Sequence, residues 1–501
     1  MKIAIICDLH LPETKSASQY SALEWALKDI DTEKPALTVV AGDITASGDM
    51  APMMHFTEGL KNFHHMLLLG NADMRNENCI EEMTKLVPHS RHIVMDGYEI
   101  IGLNTPEARI EDDGRFLLET CKDGAIVFAH HYPDALEQDS REYLKSLLER
   151  KKLTYIHGHK HIEMESTIGN SRVIGVRGLD PDKACGVPCV SYFEFADGGF
   201  DKYEKCFEMP SDNLSDFWDY LGLSCFSPDV DIDYAIDRGI KNIEIRKYGG
   251  PETFDEIVIK AKKWREHGGR YLSVHMPNLR LKEGKIEGIQ QWNEAVMLCN
   301  ALEADGVTVH VPRVSICDME AGGPVWCEFL EIMTDKISQL PQKTKVGIEN
   351  IHMPPRMQDV PEREFGCVPE ECLSWINAIN QSFGFERAGS LLDVGHASNN
   401  SVFNNRYTRS VWYEMVGNKT VAYHIHQVTV GEKGLINHNA IEDWFGPKIS
   451  YFSFWWAWQN NHINHAPMFL EVKNKENGEK SLKSFEEKIL KMNIFKTETN
   501  Q

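Results

Sequence analysis

Residues 67–76 read LLLGNADMRN: three leucines close an apolar, strand-like run and hand the chain to Gly70, Asn71, Ala72 and Asp73. The same grammar recurs on both sides. KIAIICDLH (2–10) ends in Asp8 and His10, PALTVVAGD (35–43) in Gly42 and Asp43, GAIVFAHH (124–131) in His130 and His131, and LTYIHGHKH (153–161) in His157, His159 and His161. Residues two apart on a strand point to one face, so Asp8 and His10 share a side. Carboxylate, amide and imidazole groups gathered at one sheet edge are what a pair of divalent metals requires, with one carboxylate able to bridge. A continuous apolar run before each such end is the mark of a strand buried on both faces.

With YEIIGLN, SRVIGVRG and CVSYFEFA, these runs and a helix near residues 17–31 make an α/β sandwich over residues 1–206. Residues 207–219, FEMPSDNLSDFWD, lose the periodicity and gather Pro, Ser, Asn and Asp, which reads as a linker. Beyond it, strand and helix alternate through LGLSCF, IKNIEIR, YLSVHMP, GVTVHVP, KVGIENI, GSLLDVGHA, VAYHIHQV and MFLEVK. Eight such units over residues 220–495 are the signature of a (β/α)8 barrel, whose active sites lie at the C-terminal strand ends. There stand His275, His310, Glu349, Asp393, His396, His424, His426 and Glu471. A buried carboxylate without a partner costs several kcal/mol, so two glutamates and an aspartate in a barrel mouth point to metal.

At 501 residues the chain exceeds one ordinary core, and two domains are expected. The formal charge of −22, from 75 acidic against 53 basic residues, disfavours long duplex nucleic acid and favours a small phosphorylated substrate. The N-terminus is apolar too briefly for a signal peptide, and no run approaches the ~20 residues of a membrane span, so a cytoplasmic protein without membrane contact is expected. Twelve cysteines occur singly, and Cys185 with Cys189 lacks a second matching pair; buried thiols are expected. YFSFWWAWQNNH (451–462) reads as an outer barrel helix, and residues 351–366 as a lid or a proline-rich connection.

The first half resembles the calcineurin-like metallophosphoesterases, whose pattern D-x-H, G-D, G-N-H-[DE], H and G-H-x-H appears here as DLH, AGD, GNAD, AHH and GHKH. The resemblance implies an α/β/β/α sandwich holding two divalent ions (Mn²⁺, Fe²⁺ or Zn²⁺). Asp8, His10, Asp43 and His161 would surround one ion, and Asp43, Asn71, His130 and His159 the other, with Asp43 as the bridge. It also places Asp43, Asn71 and His130 in the catalytic machinery, with His131 as the alternative to His130. Ala72 departs from the pattern: the family's histidine is missing, which favours phosphodiesters or good leaving groups.

The second half resembles the xylose isomerase-like barrels, a superfamily of sugar isomerases and epimerases that also includes endonuclease IV. The shared metal cage maps to Glu349, Asp393, His424 and Glu471, with Glu349 and Glu471 as acid and base. The endonuclease IV branch adds ligands that match His275, His310, His396 and His438, while Ile436 replaces an aspartate and Asn278 an aromatic residue. One to three ions (Zn²⁺ or Mn²⁺) are implied, two being better supported than three. The expectation is a metal-dependent phosphodiesterase fused to a barrel acting on a sugar, sugar phosphate or nucleotide-derived substrate. Alternatives are nucleic-acid processing by both domains, or one domain reduced to a phosphate-ligand binding module.

Overall fold

The computed structural model describes residues 1–196, 199–207, 217–246, 253–320, 322–353, 363–400, 403–431, 434–446 and 449–490. Most of the linker, the centre of the 351–366 loop and the end of the second domain lie outside these residues. The chain divides into two compact units, Met1–Met209 with Phe445–Ser453, and Pro210–Trp444 with Phe454–Gln501.

Strands of the first unit are β1 (Lys2–Ile6), β2 (Leu37–Ala41), β3 (His65–Leu68), β4 (Arg91–Met95), β5 (Tyr98–Leu103), β6 (Ile126–Ala129), β7 (Thr154–His157), β8 (Met164–Ile168), β9 (Ser171–Gly175), β10 (Cys189–Ala196) and β11 (Gly199–Cys206). They form two sheets, ordered β11-β10-β1-β2-β3 and β4-β5-β6-β7-β9-β8. Alternation along the strands builds the layers. Ile126 and Phe128 join Ile3, Ile5, Val39 and Met66 in the core between the sheets. Val127 and Ala129 face the other way and pack with Leu144, Leu147 and Leu148 of the helix Gln138–Arg150. Each such buried aliphatic side chain contributes about 1.5–3 kcal/mol, so the sandwich is held from within and from its helical face. The result is the α/β/β/α order expected from the sequence.

The second unit contains a closed barrel of β12 (Leu221–Cys225), β13 (Asn242–Ile245), β14 (Tyr271–His275), β17 (Gly306–His310), β18 (Lys345–Glu349), β19 (Ala388–Asp393), β20 (Thr420–Ile425) and β23 (Met468–Leu470). All eight neighbouring pairs run parallel. Two short hairpins, β15–β16 (Arg280–Lys282, Lys285–Glu287) and β21–β22 (Gln427–Gly431, Gly434–Asn439), interrupt the strand–helix alternation. Leu391, Ala422 and Phe469 pack together with Tyr271 as an apolar layer inside the barrel. Two residues further along three of these strands come Asp393, His424 and Glu471, so the polar site stands on that layer. The aromatic run forms the helix Phe452–Gln459, with Trp455 and Trp458 buried, as a packing helix should be. Most of the cysteines are covered, but Cys317 and Cys327 are exposed, contrary to the expectation of buried thiols. No described helix is long and apolar enough to cross a membrane.

Candidate metal centres

In the first unit the ends of β1 and β2 are tied by backbone bonds from Asp8 N to Gly42 O (3.0 Å) and from His10 N to Asp43 O (3.0 Å). That pairing carries Asp8, His10 and Asp43 to one edge. A Cβ on Gly70 would stand 2.3 Å from Asp43 Oδ1 and 2.4 Å from Asp43 N, so only glycine lets the third strand end approach the acid. Asp8, His10, Asp43, His159 and His161 all have left-handed backbone, with φ between 50° and 69°. Such conformations cost non-glycine residues about 1–3 kcal/mol each and cluster where function requires a fixed side-chain direction.

His130 Nδ1 lies 2.9 Å from Ala41 O and donates to it, which turns Nε2 toward the cluster. Around Nε2 stand Asn71 Oδ1 (3.1 Å), His159 Nδ1 (3.1 Å) and Asp43 Oδ1 (3.4 Å). The other Asp43 oxygen, Oδ2, is 3.2 Å from His10 Nε2, so this carboxylate spans both expected ligand groups. His161 Nε2 is 3.9 Å from Asp8 Oδ1, and its ring stacks on His10 at 5.2 Å. His131 turns Nδ1 toward Thr105 Oγ1 (3.3 Å), although its ring also packs against His159 at 4.7 Å.

Electrostatics follow the same geometry. Burial opposes ionisation of Asp43, but the neighbouring His130 and His10 rings outweigh it and hold its carboxyl well below the usual range. Burial also drives His161 well below the ordinary imidazole value, and together with His130 it lowers His159 to about 4, so both rings are neutral donors at pH 7. Buried His10 Nδ1 and His161 Nδ1 have no well-aligned hydrogen bond. Convergent lone pairs on neutral imidazoles, an amide oxygen and carboxylates are the donor set of a hard-to-borderline divalent ion, so the residues fit one. Asp180 was missed in the sequence reading: its Oδ2 is 3.3 Å from His10 Nδ1, and its Oδ1 accepts from Gln19 Nε2 at 3.0 Å. The signal was present in RGLD, an acid after a glycine at a strand end.

In the barrel, Glu349 is the hub. Its Oε2 is 3.2 Å from His275 Nε2 and 2.9 Å from His310 Nε2, and its Oε1 is 3.1 Å from His424 Nδ1. His424 Nδ1 is also 2.8 Å from Glu471 Oε2 and 3.8 Å from Asp393 Oδ2. Asp393 Oδ1 is 3.2 Å from His426 Nε2, His396 Nδ1 is 3.3 Å from Asp393 Oδ2, and His438 Nε2 is 3.2 Å from Glu471 Oε1. Three overlapping sets of ligand atoms result: His275, His310 and Glu349; Glu349, Asp393, His424 and Glu471; and Asp393, His396, His426 and His438. The last uses His426, where the sequence reading chose His424 for the cage, and it forms without an acid at Ile436, which is 41% exposed. Asn278 bonds His310 Nδ1 through its side-chain oxygen at 2.6 Å.

Buried Asp393 Oδ2, Glu471 Oε2, His310 Nε2 and His438 Nε2 lack aligned hydrogen bonds. This donor set also fits divalent ions. Burial opposes the charge on Glu349 and Glu471. The His310 and His424 rings in the first case, and Arg246 with His424 in the second, nonetheless hold both well below the carboxylate range. Arg246, at the end of β13, pairs directly with Glu471. It and Glu244 were not singled out from IKNIEIR, although a lone carboxylate inside an apolar strand demands a buried partner.

Residues 1–163 match the calcineurin-like phosphoesterase family model. No curated protein matches the chain. Solved structures similar to the C-terminal part include a putative xylose isomerase from Rhodospirillum rubrum, at 15% identity and TM-score 0.41, covering 53% of this chain and 97% of that one. A xylose isomerase domain protein from Planctomyces limnophilus has 11% identity and TM-score 0.37, covering 55% and 99%. D-allulose 3-epimerase from a Methylomonas species has 11% identity and TM-score 0.36, covering 54% and 88%. Residues 1–163 are thus similar to the calcineurin-like phosphoesterases, and a closed (β/α)8 barrel follows them in the chain.

Proposed function

We propose that the N-terminal domain is a dinuclear-metal phosphodiesterase and that the barrel is a second metal-dependent enzyme acting on a sugar, sugar phosphate or nucleotide-derived substrate. The observation that carries the first half is the span of Asp43, with one oxygen toward His10 and the other toward His130. Asp8, His10, Asp43 and His161 would hold one ion, and Asp43, Asn71, His130 and His159 the other. Two bound divalent ions supply Lewis acidity toward phosphoryl oxygens and water activated at neutral pH. The chain itself orients the donors: Ala41 O fixes the His130 ring, Asp180 backs His10, and the Ala72 N–H donates to Asp43 Oδ1 at 2.6 Å. Ala72 has no proton to give a leaving group, so good leaving groups and diesters suit the site.

In the barrel, Glu349, Asp393, His424 and Glu471 would hold one ion, with His275, His310, His396, His426 and His438 available for others. Glu349 and Glu471 are the acid and base beside a substrate carbonyl. The extra histidines support a second reading, hydrolysis of nucleic-acid phosphodiesters, which the charge of −22 disfavours.

The test is turnover of a bis-aryl phosphodiester with Mn²⁺ by wild type and Asp43→Asn, alongside sugar, sugar phosphate and abasic DNA substrates with Glu349→Gln. Diester turnover should disappear in Asp43→Asn and persist in Glu349→Gln; indifference to Asp43→Asn would sink the first assignment.

A further inference from the structure

Glu244 is the one charged residue of β13, flanked by Ile243 and Ile245, and its side chain is fully buried. Strand register sets it opposite Ser224 on β12 and Ser273 on β14, inside the barrel. Its carboxylate accepts from Ser224 Oγ at 3.0 Å, from Thr308 Oγ1 and, at 2.9 Å, from His424 Nε2; the Arg246 guanidinium stands 3.9 Å away. Those contacts occupy both oxygens, and among the described residues Glu244 belongs to none of the clustered ligand sets.

The opposite nitrogen of His424, Nδ1, faces the Glu471 and Glu349 carboxylates at 2.8 and 3.1 Å. We infer that Glu244 is the positioning residue of the barrel cage, taking the His424 Nε2–H so that Nδ1 presents its lone pair to the ion shared with Glu349, Asp393 and Glu471. A ligating imidazole whose other N–H is held by a carboxylate has its tautomer and ring angle fixed, and it is the more basic ligand for it. Ser224 and Thr308 do for Glu244 what Glu244 does for His424: two hydroxyl donors, one on the adjacent β12 and one on β17 two strands away, fix its carboxylate plane.

The inference rests on the proposed metal cage, so the experiment separates the two. Full-length protein carrying Asp43→Asn, to keep the N-terminal contribution constant, is stripped of metal and prepared with Glu244 intact, as Glu244→Gln, as Glu244→Leu and as Glu349→Gln. Bound Mn²⁺ and Zn²⁺ per chain are measured at buffered free-metal concentrations, with circular dichroism of the metal-free forms as the check on folding and ¹⁵N-histidine spectra as the check on the His424 tautomer. Glu244→Gln, whose amide oxygen still accepts from Nε2, should weaken barrel metal binding about 10-fold, and Glu244→Leu about 100-fold with a mixed tautomer. Wild-type affinity and tautomer in both Glu244 variants, with metal lost in Glu349→Gln, would overturn the positioning role alone. Undiminished metal in Glu349→Gln would overturn the cage. Should Glu244→Leu not fold, the affinity and tautomer of Glu244→Gln decide.

Discussion

Asp73 shows what one residue does when its usual companion is gone. Its carboxylate accepts from Gly70 N (2.9 Å), Ile44 N (3.3 Å), Thr45 N (2.8 Å) and Thr45 Oγ1 (2.9 Å), so it joins the ends of β2 and β3 with no histidine beside it. Asp73→Ala leaves these buried donors unsatisfied and should lower the unfolding free energy by about 3 kcal/mol in urea titration. A loss well under 1 kcal/mol would contradict that role. One position earlier, Ala72 is fully buried and brings only a methyl group. Turnover across a series of aryl phosphodiesters should therefore fall steeply as the leaving phenol becomes less acidic, and a flat series would show that another group delivers the proton. The motif residues were legible one by one because they stand at strand ends, and Asp43, Asn71 and His159 each follow a glycine as well. The left-handed backbone of Asp8, His10, Asp43, His159 and His161 was not, because most aspartates and histidines adopt negative φ and nothing local marks these five.

Among the elements, the helix Ser18–Glu33 is pinned at its last residue. Glu33 accepts from Lys2 Nζ on β1 (2.9 Å), from Tyr203 Oη on β11 (3.0 Å) and from Lys205. The Lys2 and then the Lys205 ammonium hold its carboxyl at about 2, below the ordinary 4.5. A depressed carboxyl contributes stability above its unfolded value that is lost as pH falls toward its folded one. Its partners Lys2 and Lys205 are 28% and 37% exposed, so solvent screening keeps the effect small. Glu33→Gln should cost about 1 kcal/mol at pH 7, and the gap from wild type should close between pH 4.5 and about 2 in unfolding titrations. The central strands were readable because most are largely buried apolar runs, Ile126–Ala129 being buried throughout. The edge strands Arg91–Met95, Met164–Ile168 and Gly199–Cys206 were not, because none of their residues is fully buried and they carry charge.

For the whole molecule, a formal charge of −22 sets the long-range field that a polyanion meets. Anisotropy titration of an abasic duplex should give dissociation constants no tighter than the non-specific range of about 10⁻⁴–10⁻⁶ M near physiological salt. Tight binding with a steep salt slope would instead favour the nucleic-acid reading. By itself the sequence determined a two-part α/β chain, sandwich then barrel, and the placing of carboxylate, amide and imidazole side chains at strand ends. Both follow from local periodicity: apolar runs of strand length, then glycine, acid or histidine. Only the tertiary structure decided that Asp43 spans two ligand groups, that His130 directs Nε2 toward Asn71 and His159, and that both His424 and His426 point inward. It alone brought Glu244 under His424. Those outcomes depend on barrel register and side-chain torsions that join residues as far apart as Glu244 and His424, and no short-range pattern encodes them.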